Sequence, residues 1–317
     1  MTFGGPITSA MLLAAGFGQR LRPLSLLRPK PLFPVLNRSM LSHWLGRLWQ
    51  AGVKRVVVNA HYLADELLVA LAQQRSVFGS LEIIHSPESE ILGTGGGLKQ
   101  AADFFDRPFF VVNADIHTDI DLKLLAEAHL ADVIRPPATI ALIDRPAKAT
   151  VSIGAGDQII GFRSPRPLPG EIKKLCGAGL MVLEPRVLTA LPDGFSDIIE
   201  QLANFFPHGP AGYFCPGAAW TDMGTAEDYL ALNRLLAQGG KFWGGVLVEG
   251  SGKQPEGAFG QGFVIAEEGA RISLGAKICD CVLWKEASIG AGAWVTGAVV
   301  AGTVKPGAVI RGGVVVG

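Results

Sequence analysis

The sequence predicts an α/β protein in which a Rossmann-like mixed, mostly parallel sheet with helices on both faces is followed by a short parallel β-helix. Up to about Gly240, short β-rich runs alternate with helical patterns, which is typical of parallel strands joined by helices. After Gly244 the helical periodicity disappears and small aliphatic residues recur at six-residue intervals. We therefore predict two domains, over residues 1–243 and 244–317.

The β-rich runs of the first domain are short apolar segments, and we predict strands over 10–15, 53–59, 81–85, 109–113 and 139–143. Apolar residues on one helical face predict a helix over 39–51, with Ser39 as its N-cap and Gly52 as its stop. Segments 121–131 and 196–205 are similar. Ligands of such sheets bind at the carboxyl ends of the strands, and the loops described below follow strands.

The second domain shows the hexapeptide pattern in two clear pairs. Ile272 and Ile278 form one pair, and Ile289 and Val295 form another. Each short strand of a parallel β-helix buries one aliphatic side chain inside a coil, so this spacing favours that fold. The alternative is the edge of an ordinary glycine-rich β-sandwich. The segment also accounts for much of the excess of glycine, of which the chain has 41.

Composition excludes several classes of function. The chain has 28 Lys and Arg against 28 Asp and Glu, with no basic block, so we expect no nucleic-acid partner. Its apolar stretches are far shorter than the roughly 20 residues of a membrane span, and no basic segment precedes the first one, so we expect neither a membrane segment nor a signal peptide. The four cysteines lack zinc-ligand spacing and predict reduced thiols in a cytoplasmic protein.

The segment LAAGFGQRLRPLSLLRPKP begins directly after the first predicted strand and has the composition of a phosphate-binding loop. Gly16 and Gly18 allow a positive φ and a close approach of backbone N–H groups to a phosphate chain. Arg20 offers a rigid fork of donors. Lys30 lies between two prolines that hold the segment extended.

Two other phosphate motifs are excluded by single positions. A dinucleotide-binding fingerprint requires a third glycine where this chain has Leu21, and a Walker loop requires GK[ST] after its second glycine, which is missing.

The stretch LAAGFGQRLRPL, with RPKPLFPV after it, resembles the defining motif of the nucleotidylyltransferases that make NDP-sugars from an NTP and a sugar 1-phosphate. The resemblance covers nearly the whole chain, including the left-handed β-helix of mannose-1-phosphate guanylyltransferase-like members. It implies that Arg20 stabilises the phosphate groups during transfer and that Lys30 binds the incoming or leaving phosphate. It also implies nucleotide binding by Leu13, Ala14, Ala15, Gly16 and Gly18.

Two aspartates are candidate ligands of Mg²⁺, which usually takes one or two carboxylates plus substrate phosphates. Asp115 follows the predicted strand 109–113, and Asp222 lies in a short polar turn; either could instead be an ordinary turn residue. The resemblance assigns both to the metal. Asp115 matches the family's "GD" position, with Ala114 in place of glycine, and Asp222 matches the aspartate of the "W-x-D-x-G-T" motif.

The segment SPESEILGTGGGLKQA resembles the family's nucleobase loop, although it could also be a plain flexible loop. The resemblance implies that the backbone at Gly93 and Thr94 holds the base and that Glu88 reads it. A carboxylate only accepts hydrogen bonds, so it favours guanine and GTP, with uracil and UTP as the alternative. Asn113 resembles the "VN-x-D" of N-acetylmuramate-1-phosphate and heptose-1-phosphate transferases, and we expect it at the nucleotide.

On the sugar side the chain departs from the family pattern. Arg163-Ser164-Pro165 stands where relatives have "E-K-P", so the usual lysine for the sugar phosphate is missing. Arg163, Lys173 and Lys174 are the candidate replacements, each of which could instead be a solvated surface charge. Gly179 matches a family glycine that lies against the sugar.

These observations predict a magnesium-dependent sugar-1-phosphate nucleotidylyltransferase, most similar to the mannose-1-phosphate guanylyltransferases. The alternatives are a uridylyl- or thymidylyltransferase acting on N-acetylmuramate, glucose or heptose 1-phosphate, and a catalytically silent regulatory homologue. An acetyltransferase in the β-helix is disfavoured because all six histidines lie at or before His208. We expect the β-helix to make the protein a homo-oligomer.

Overall fold

The computed structural model describes residues 6–131, 135–238, 246–248, 258–259 and 262–317. The strands are β1 Ser9–Leu13, β2 Pro34–Val35, β3 Arg38–Ser39, β4 Arg55–Ala60, β5 Glu82–Pro87, β6 Phe109–Asn113, β7 Ile116–Thr118, β8 Ala138–Ile143, β9 Val151–Ile153, β10 Ile159–Phe162, β11 Lys173–Leu183, β12 Ala211–Phe214, β13 Trp220–Asp222, β14 Val246–Val248, β15 Ala258–Phe259, β16 Val264–Ala266, β17 Arg271–Ile272, β18 Lys277–Cys279, β19 Cys281–Leu283, β20 Ser288–Ile289, β21 Trp294–Ala301, β22 Thr303–Val304 and β23 Val309–Val316. The α-helices are α1 Leu24–Leu27, α2 Met40–Gln50, α3 Ala64–Val77, α4 Gly93–Gln100, α5 Leu122–Ala131, α6 Pro185–Ala190, α7 Ile198–Leu202 and α8 Ala226–Gln238.

The chain divides into two compact units. The first consists of Met1–Gly16 and Ser42–Trp220, and the second of Phe17–Leu41 and Thr221–Gly317. The sequence did not predict that a segment near the start of the chain groups with the C-terminal part. The predicted boundary between residues 243 and 244 lies outside the described residues.

The first unit is built on a nine-stranded mixed sheet. Strands β6, β1, β4 and β5 are parallel neighbours in that order. Strand β11 is antiparallel to both β6 and β8, so β6 and β8 point the same way and end at the same edge of the sheet. The remaining strands extend this side, β12 parallel to β8, and β9 and β10 in antiparallel pairings. The sequence predicted the parallel part but not the antiparallel orientation of β11.

The elements predicted for the first unit are confirmed with small shifts. All five predicted strands exist, and the helices predicted over 39–51 and 121–131 are α2 and α5. Gly52 ends α2 with a φ of 96°, a left-handed conformation that suits glycine. The predicted start of the third helix, placed over 196–205, was wrong. It begins at Ile198 because the side chain of Asp197, and not that of Ser196, accepts the N–H groups of the first turn.

The C-terminal part of the second unit is a stack of parallel strands. Ile272 of β17 pairs with Ile289 of β20, and Ile278 of β18 pairs with Val295 of β21. All four side chains are buried in one apolar core. Residues six apart lie in strands of different sheets, whereas the paired residues are 17 apart, since 289 − 272 and 295 − 278 both equal 17. The hexapeptide spacing therefore places one aliphatic side chain from each short strand in the shared core.

Three aromatic rings join the segment 17–41 to the rest of the second unit. The ring of Phe33 packs edge-on against Tyr229 at 5.4 Å and Trp284 at 4.8 Å between centroids. The Tyr229 hydroxyl donates to the carbonyl of Pro34 at 2.5 Å and accepts from Nε1 of Trp284 at 3.3 Å. These contacts stabilise the segment that carries the predicted phosphate-binding side chains, because edge-on aromatic pairs add to the burial of each ring.

A charged contact lies beside the aromatic rings. Nη1 of Arg28 donates to both carboxylate oxygens of Glu267, at 2.8 and 2.9 Å, and the guanidinium lies 4.6 Å above the centre of the Trp284 ring. Asn37 adds a hydrogen bond to the carbonyl of Ala266 at 3.0 Å. The second unit therefore holds the segment 17–41 by ion pairing, aromatic packing and a side-chain hydrogen bond to the end of strand β16.

None of the described helices is both long enough and apolar enough to cross a lipid bilayer.

We expect Tyr229→Phe to lower the free energy of unfolding by about 1–3 kcal/mol, because it leaves the Pro34 carbonyl and the Trp284 N–H without their buried partner. Urea unfolding followed by tryptophan fluorescence measures this loss. Tyr213→Phe, at a partly exposed site of β12, is the matched control and should have little effect. Equal stability of the two variants would contradict the anchoring role of the Tyr229 hydroxyl.

Candidate active site

The loop that follows β1 is shaped by one left-handed glycine. Gly18 has φ 61° and ψ 33° and starts a 3₁₀ turn over Gln19–Leu21. A Cβ atom at Gly18 would lie 3.2 Å from Cβ of Ser25, so glycine is favoured by both conformation and space. The prediction of a positive φ was wrong for Gly16. Its φ is not positive, and a Cβ atom there would meet open space. The remaining reason for glycine at position 16 is its small size, which allows the backbone a close approach to a phosphate chain.

The second unit brings three of the predicted residues together. Nζ of Lys30 lies 3.8 Å from Oδ1 of Asp222, and Nη2 of Arg20 lies 3.7 Å from Oδ2 of the same carboxylate. The Lys30 side chain is 10% exposed and that of Arg20 is 67% exposed. A buried ammonium group requires a nearby carboxylate, whereas the exposed guanidinium is accessible to a ligand.

The turn that carries Asp222 is fixed by its neighbours. The N–H of Gly224 donates to the carbonyl of Asp222 at 2.7 Å. Thr225 and Asp228 then exchange hydrogen bonds at the start of α8, since each accepts the other's backbone N–H with its side chain. This reciprocal cap holds the end of the "W-x-D-x-G-T" motif in one conformation.

Gly224 is a functional candidate that the sequence reasoning missed. A Cβ atom there would lie 2.8 Å from Nη1 and 3.1 Å from Cζ of Arg20, so the guanidinium rests on the bare backbone of this glycine. The spacing of the motif could not reveal this contact, although Gly224 itself stands two residues after Asp222 in the sequence.

In the first unit, the start of the phosphate loop is bound to a buried polar pair. The N–H of Ala14 donates to Oδ1 of Asn59 at 2.8 Å, and Nδ2 of Asn59 donates to Oε1 of Glu88 at 2.6 Å. Oε2 of Glu88 accepts the N–H of Leu92 at 3.0 Å. Leu13 and Ala15, on either side of Ala14, lie at the end of β1 and in a buried position after it. The network ties the loop after β1 to the loop before α4.

Glu88 therefore has an observed structural role that the sequence did not predict. Its side chain is buried, and each carboxylate oxygen accepts a hydrogen bond from the protein. Each of these oxygens has a second lone pair, so the protein hydrogen bonds leave acceptor capacity for a base, and base reading by Glu88 stays a prediction. Asn59 was missed because a single asparagine inside a strand pattern gives no functional signal.

The glycine run after Glu88 forms the first turn of α4 and packs tightly against the start of α7. Gly93 has φ 70°, and a Cβ atom there would lie 2.5 Å from the carbonyl oxygen of Ser196. The N–H of Gly95 donates to that carbonyl, and the hydroxyl of Thr94 accepts the N–H of Ile198 at 2.9 Å. The run is thus required by close backbone packing and is not a plain flexible loop.

Asn113 and Asp115 lie where the sequence placed them, at the carboxyl end of β6. Asn113 pairs in register with Leu13, the last residue of β1, and Asp115 lies in the turn between β6 and β7. Burial, His43 and Arg47 lower the pKa of the nearby His117 to about 4, so this imidazole is neutral at physiological pH.

The three candidate cations for the sugar phosphate each contact the protein itself. Arg163 lies 3.0 Å from Asp197 and 3.4 Å from Glu200. Lys173 lies 3.1 Å from Asp157, and Nζ of Lys174 donates to the carbonyl of Ser164 at 2.7 Å.

Gly179 lies at an irregularity of β11, with φ 69°, and a Cβ atom there would be 3.0 Å from Nδ2 of Asn113. Gly179 therefore lies against the Asn113 side chain. Arg163 and Lys173 have carboxylate partners that offset their positive charge, whereas Lys174 donates to a neutral carbonyl.

Comparison with known proteins identifies the family. The family model described as nucleotidyl transferase matches residues 9–239. The chain belongs to the nucleotidyl transferase family. The sequence resemblance is therefore confirmed.

Individual relatives agree with the family. The chain is 29% identical to the mannose-1-phosphate guanyltransferase of Aspergillus fumigatus, covering 92% of this chain and 85% of the relative. It is 31% identical to the enzyme of that name from Kluyveromyces lactis, covering 77% and 72%. The crystal structure of HddC from Yersinia pseudotuberculosis complexed with GMP-PN has a TM-score of 0.61 at 20% identity, covering 73% of this chain and 100% of HddC. The likeness to HddC shows a shared fold.

We expect Glu88→Gln to lower the free energy of unfolding by about 1–3 kcal/mol in the absence of any nucleotide. The new amide can accept from only one of the two buried donors and turns its own N–H₂ toward the other. Urea unfolding measures the loss, with exposed Glu90→Gln as the control. Unchanged stability together with an altered preference among NTPs would instead support base reading by Glu88.

We expect Gly224→Ala to lower kcat for nucleotidyl transfer by roughly 10- to 100-fold, because the added methyl group displaces the Arg20 guanidinium. The unfolding free energy should change by only about 0.5 kcal/mol, since a flexible side chain can move away. Gly79→Ala, where a Cβ atom meets open space, is the matched control for both measurements. Normal turnover by Gly224→Ala would show that the position of Arg20 over this glycine is unimportant.

Proposed function

We propose that this protein transfers a nucleotidyl group from an NTP to a sugar 1-phosphate, releasing pyrophosphate, in the manner of a mannose-1-phosphate guanylyltransferase. The observation that carries the proposal is the meeting of exposed Arg20 and buried Lys30 at the carboxylate of Asp222. Two cations and one carboxylate suit phosphates that bind together with a metal ion. The names of the curated relatives supply the sugar and the base.

The proposed chemistry needs no general base, because the attacking sugar-phosphate oxygen is already an anion. The work of the protein is positioning and charge neutralisation during in-line attack on the α-phosphorus. Arg20, whose guanidinium is exposed, offsets charge on the α-phosphate and the departing pyrophosphate. Lys30 orients the phosphates from a fixed position, because prolines flank it and its side chain is buried.

Magnesium is the proposed cofactor, with Asp115 and Asp222 as its proposed ligands. The Asp222 carboxylate is a hard oxygen donor, 16% exposed, beside two cationic groups, and this donor set fits a magnesium–phosphate complex. Magnesium, when bound, neutralises phosphate charge. Asp115 belongs to the first compact unit and Asp222 to the second.

The proposed nucleotide is GTP, with UTP as the alternative. Support comes from the guanyltransferase names of the relatives and from HddC, which was crystallised with GMP-PN. We propose that Glu88, whose oxygens also accept hydrogen bonds from Asn59 and Leu92, reads the base, since a carboxylate accepts only N–H donors. We propose that Gly93 and Thr94 present backbone groups to the base, and that Leu13, Ala14, Ala15, Gly16, Gly18 and Asn113 line the nucleotide.

We further propose that residues 244–317 form a left-handed parallel β-helix domain through which the protein is a homo-oligomer. The parallel pairing of β17 with β20 and of β20 with β22 supports the helical stack. The consumption of an NTP and four free cysteines support a cytoplasmic location.

A matrix of NTPs against sugar 1-phosphates, read by pyrophosphate release, tests the proposed function. Mannose, glucose, N-acetylmuramate and heptose 1-phosphates are each combined with GTP, UTP and dTTP, with Mg²⁺ or with EDTA. We expect turnover with GTP and mannose 1-phosphate, lost in EDTA. No turnover with any pair would support the catalytically silent homologue.

We expect Arg20→Ala to lower kcat by about 100- to 1,000-fold, or roughly 2.7–4 kcal/mol, as for removal of one donor to developing charge. Steady-state pyrophosphate release measures it. Arg107→Ala, at an exposed site of the first unit, is the control. Near-normal turnover by Arg20→Ala would refute the assignment of Arg20.

A further inference from the structure

The turn that carries Asp115 is held on both sides by hydrogen bonds to its backbone. Before it, the N–H of Ala114 donates to the carbonyl of Leu13, the last residue of β1, at 3.1 Å. After it, the carbonyl of Ile116, the first residue of β7, accepts Nε1 of Trp44 at 2.7 Å. The residues before and after Asp115 are both buried, so the turn has little freedom to move.

One arginine of α2 continues this support along the segment that follows Asp115. Nη1 of Arg47 donates to the carbonyl of Thr118, and Nη2 donates to the carbonyl of Ile120 at 2.5 Å. Trp44 and Arg47 are three residues apart in α2, so they lie on the same side of the helix, and the guanidinium is 4.8 Å from the centre of the Trp44 ring. One side of α2 therefore donates to the alternate carbonyls of residues 116, 118 and 120.

The Arg47 guanidinium suits two carbonyls because its donors form a rigid, planar fork. Burial lowers the pKa of Arg47, whereas the negative charges of Asp119 and Asp121 raise it. An arginine keeps its proton in a protein, so the guanidinium stays a charged donor to both carbonyls. Hydrogen bonds from a charged donor are stronger than those from a neutral one, and the segment 116–120 is accordingly well fixed.

Asp119 gives the same segment a second set of hydrogen bonds. Its N–H donates to the carbonyl of Ala219 at 3.2 Å, and its Oδ1 accepts the N–H of Ala219 at 2.9 Å. These contacts and those of Arg47 all lie within the first unit. The segment that follows Asp115 is therefore tied to α2 and to residue 219.

We propose that Arg47 is a positioning residue for the metal, and that by fixing the segment after Asp115 it holds the Asp115 carboxylate where it can bind Mg²⁺. This inference rests on the proposed function, in which Asp115 is a ligand of Mg²⁺. Mg²⁺ demands near-ideal octahedral geometry, so a small displacement of one ligand weakens binding. Groups behind the metal ligands that fix their orientation contribute to affinity for this reason.

Binding of Mn²⁺ alone, followed by electron paramagnetic resonance, tests the proposal without any turnover. Arg47→Met keeps a long side chain but removes every donor. We expect it to weaken Mn²⁺ binding by roughly 10-fold, the lower end of the loss that follows removal of an outer partner of a metal ligand. Arg47→Lys should recover part of the affinity, because the ammonium keeps the charge and can donate to a carbonyl.

Arg75→Met is the matched control. Arg75 also donates twice to a strand carbonyl, that of Ile83 in β5, at 3.1 and 2.9 Å, but β5 carries no proposed metal ligand. Arg75→Met should lower the free energy of unfolding, as Arg47→Met does, and leave the Mn²⁺ affinity unchanged. Normal Mn²⁺ affinity in Arg47→Met, or an equal loss of affinity in the two variants, would overturn the role of Arg47.

Asp115→Asn separates this inference from the assignment on which it rests. If Asp115→Asn weakens Mn²⁺ binding and Arg47→Met does not, only the positioning role fails. If Asp115→Asn binds Mn²⁺ normally, or the wild type binds none, the metal assignment of Asp115 fails and the role of Arg47 fails with it. The matrix of NTPs and sugar 1-phosphates tests the transfer reaction independently of these results.

Discussion

A lysine side chain that is nine-tenths buried needs a carboxylate close by, and Lys30 has one in Asp222, 3.8 Å from its Nζ. The loop with Lys30 and the turn with Asp222 are far apart in sequence, so both backbones must be held firmly. Prolines fix the loop side, and the reciprocal cap of Thr225 and Asp228 fixes the turn. Arg20 can then remain exposed, since burial of one cation suffices to order the carboxylate.

In the first unit, a buried carboxylate is held by uncharged hydrogen-bond donors and not by a cation. Glu88 accepts from Asn59 and from the Leu92 backbone, and Asn59 accepts from Ala14. A fully bonded buried network of this kind is rigid, whereas a partly bonded one destabilises the fold. The loop after β1 and the glycine run of α4 therefore share one polar anchor, and the same packing explains why small residues line that run.

Periodicity and turn residues predicted the parallel strands, α2 and α5 because those signals are local. The direction of β11 was not predictable, since antiparallel pairing with β6 and β8 depends on partners far along the chain. The same difference between local signals and contacts of distant residues applies to the candidate site. The motif residues Arg20, Lys30 and Asp222 were found from sequence and do meet, whereas Gly224 under the guanidinium and Asn59 beside Glu88 are contacts across space. The ion pairs of Arg163 with Asp197 and Glu200 are likewise contacts across space that its sequence position did not reveal.

The grouping of Phe17–Leu41 with Thr221–Gly317 has a consequence for synthesis on the ribosome. The segment with Arg28 and Phe33 emerges early, but its partners Glu267 and Trp284 emerge only when most of the chain has been translated. Contacts of such long sequence separation form late and slowly. The nascent segment Phe17–Leu41 consequently lacks these partners during most of elongation, and its side chains are exposed to solvent and to chaperones until Glu267 and Trp284 have been translated.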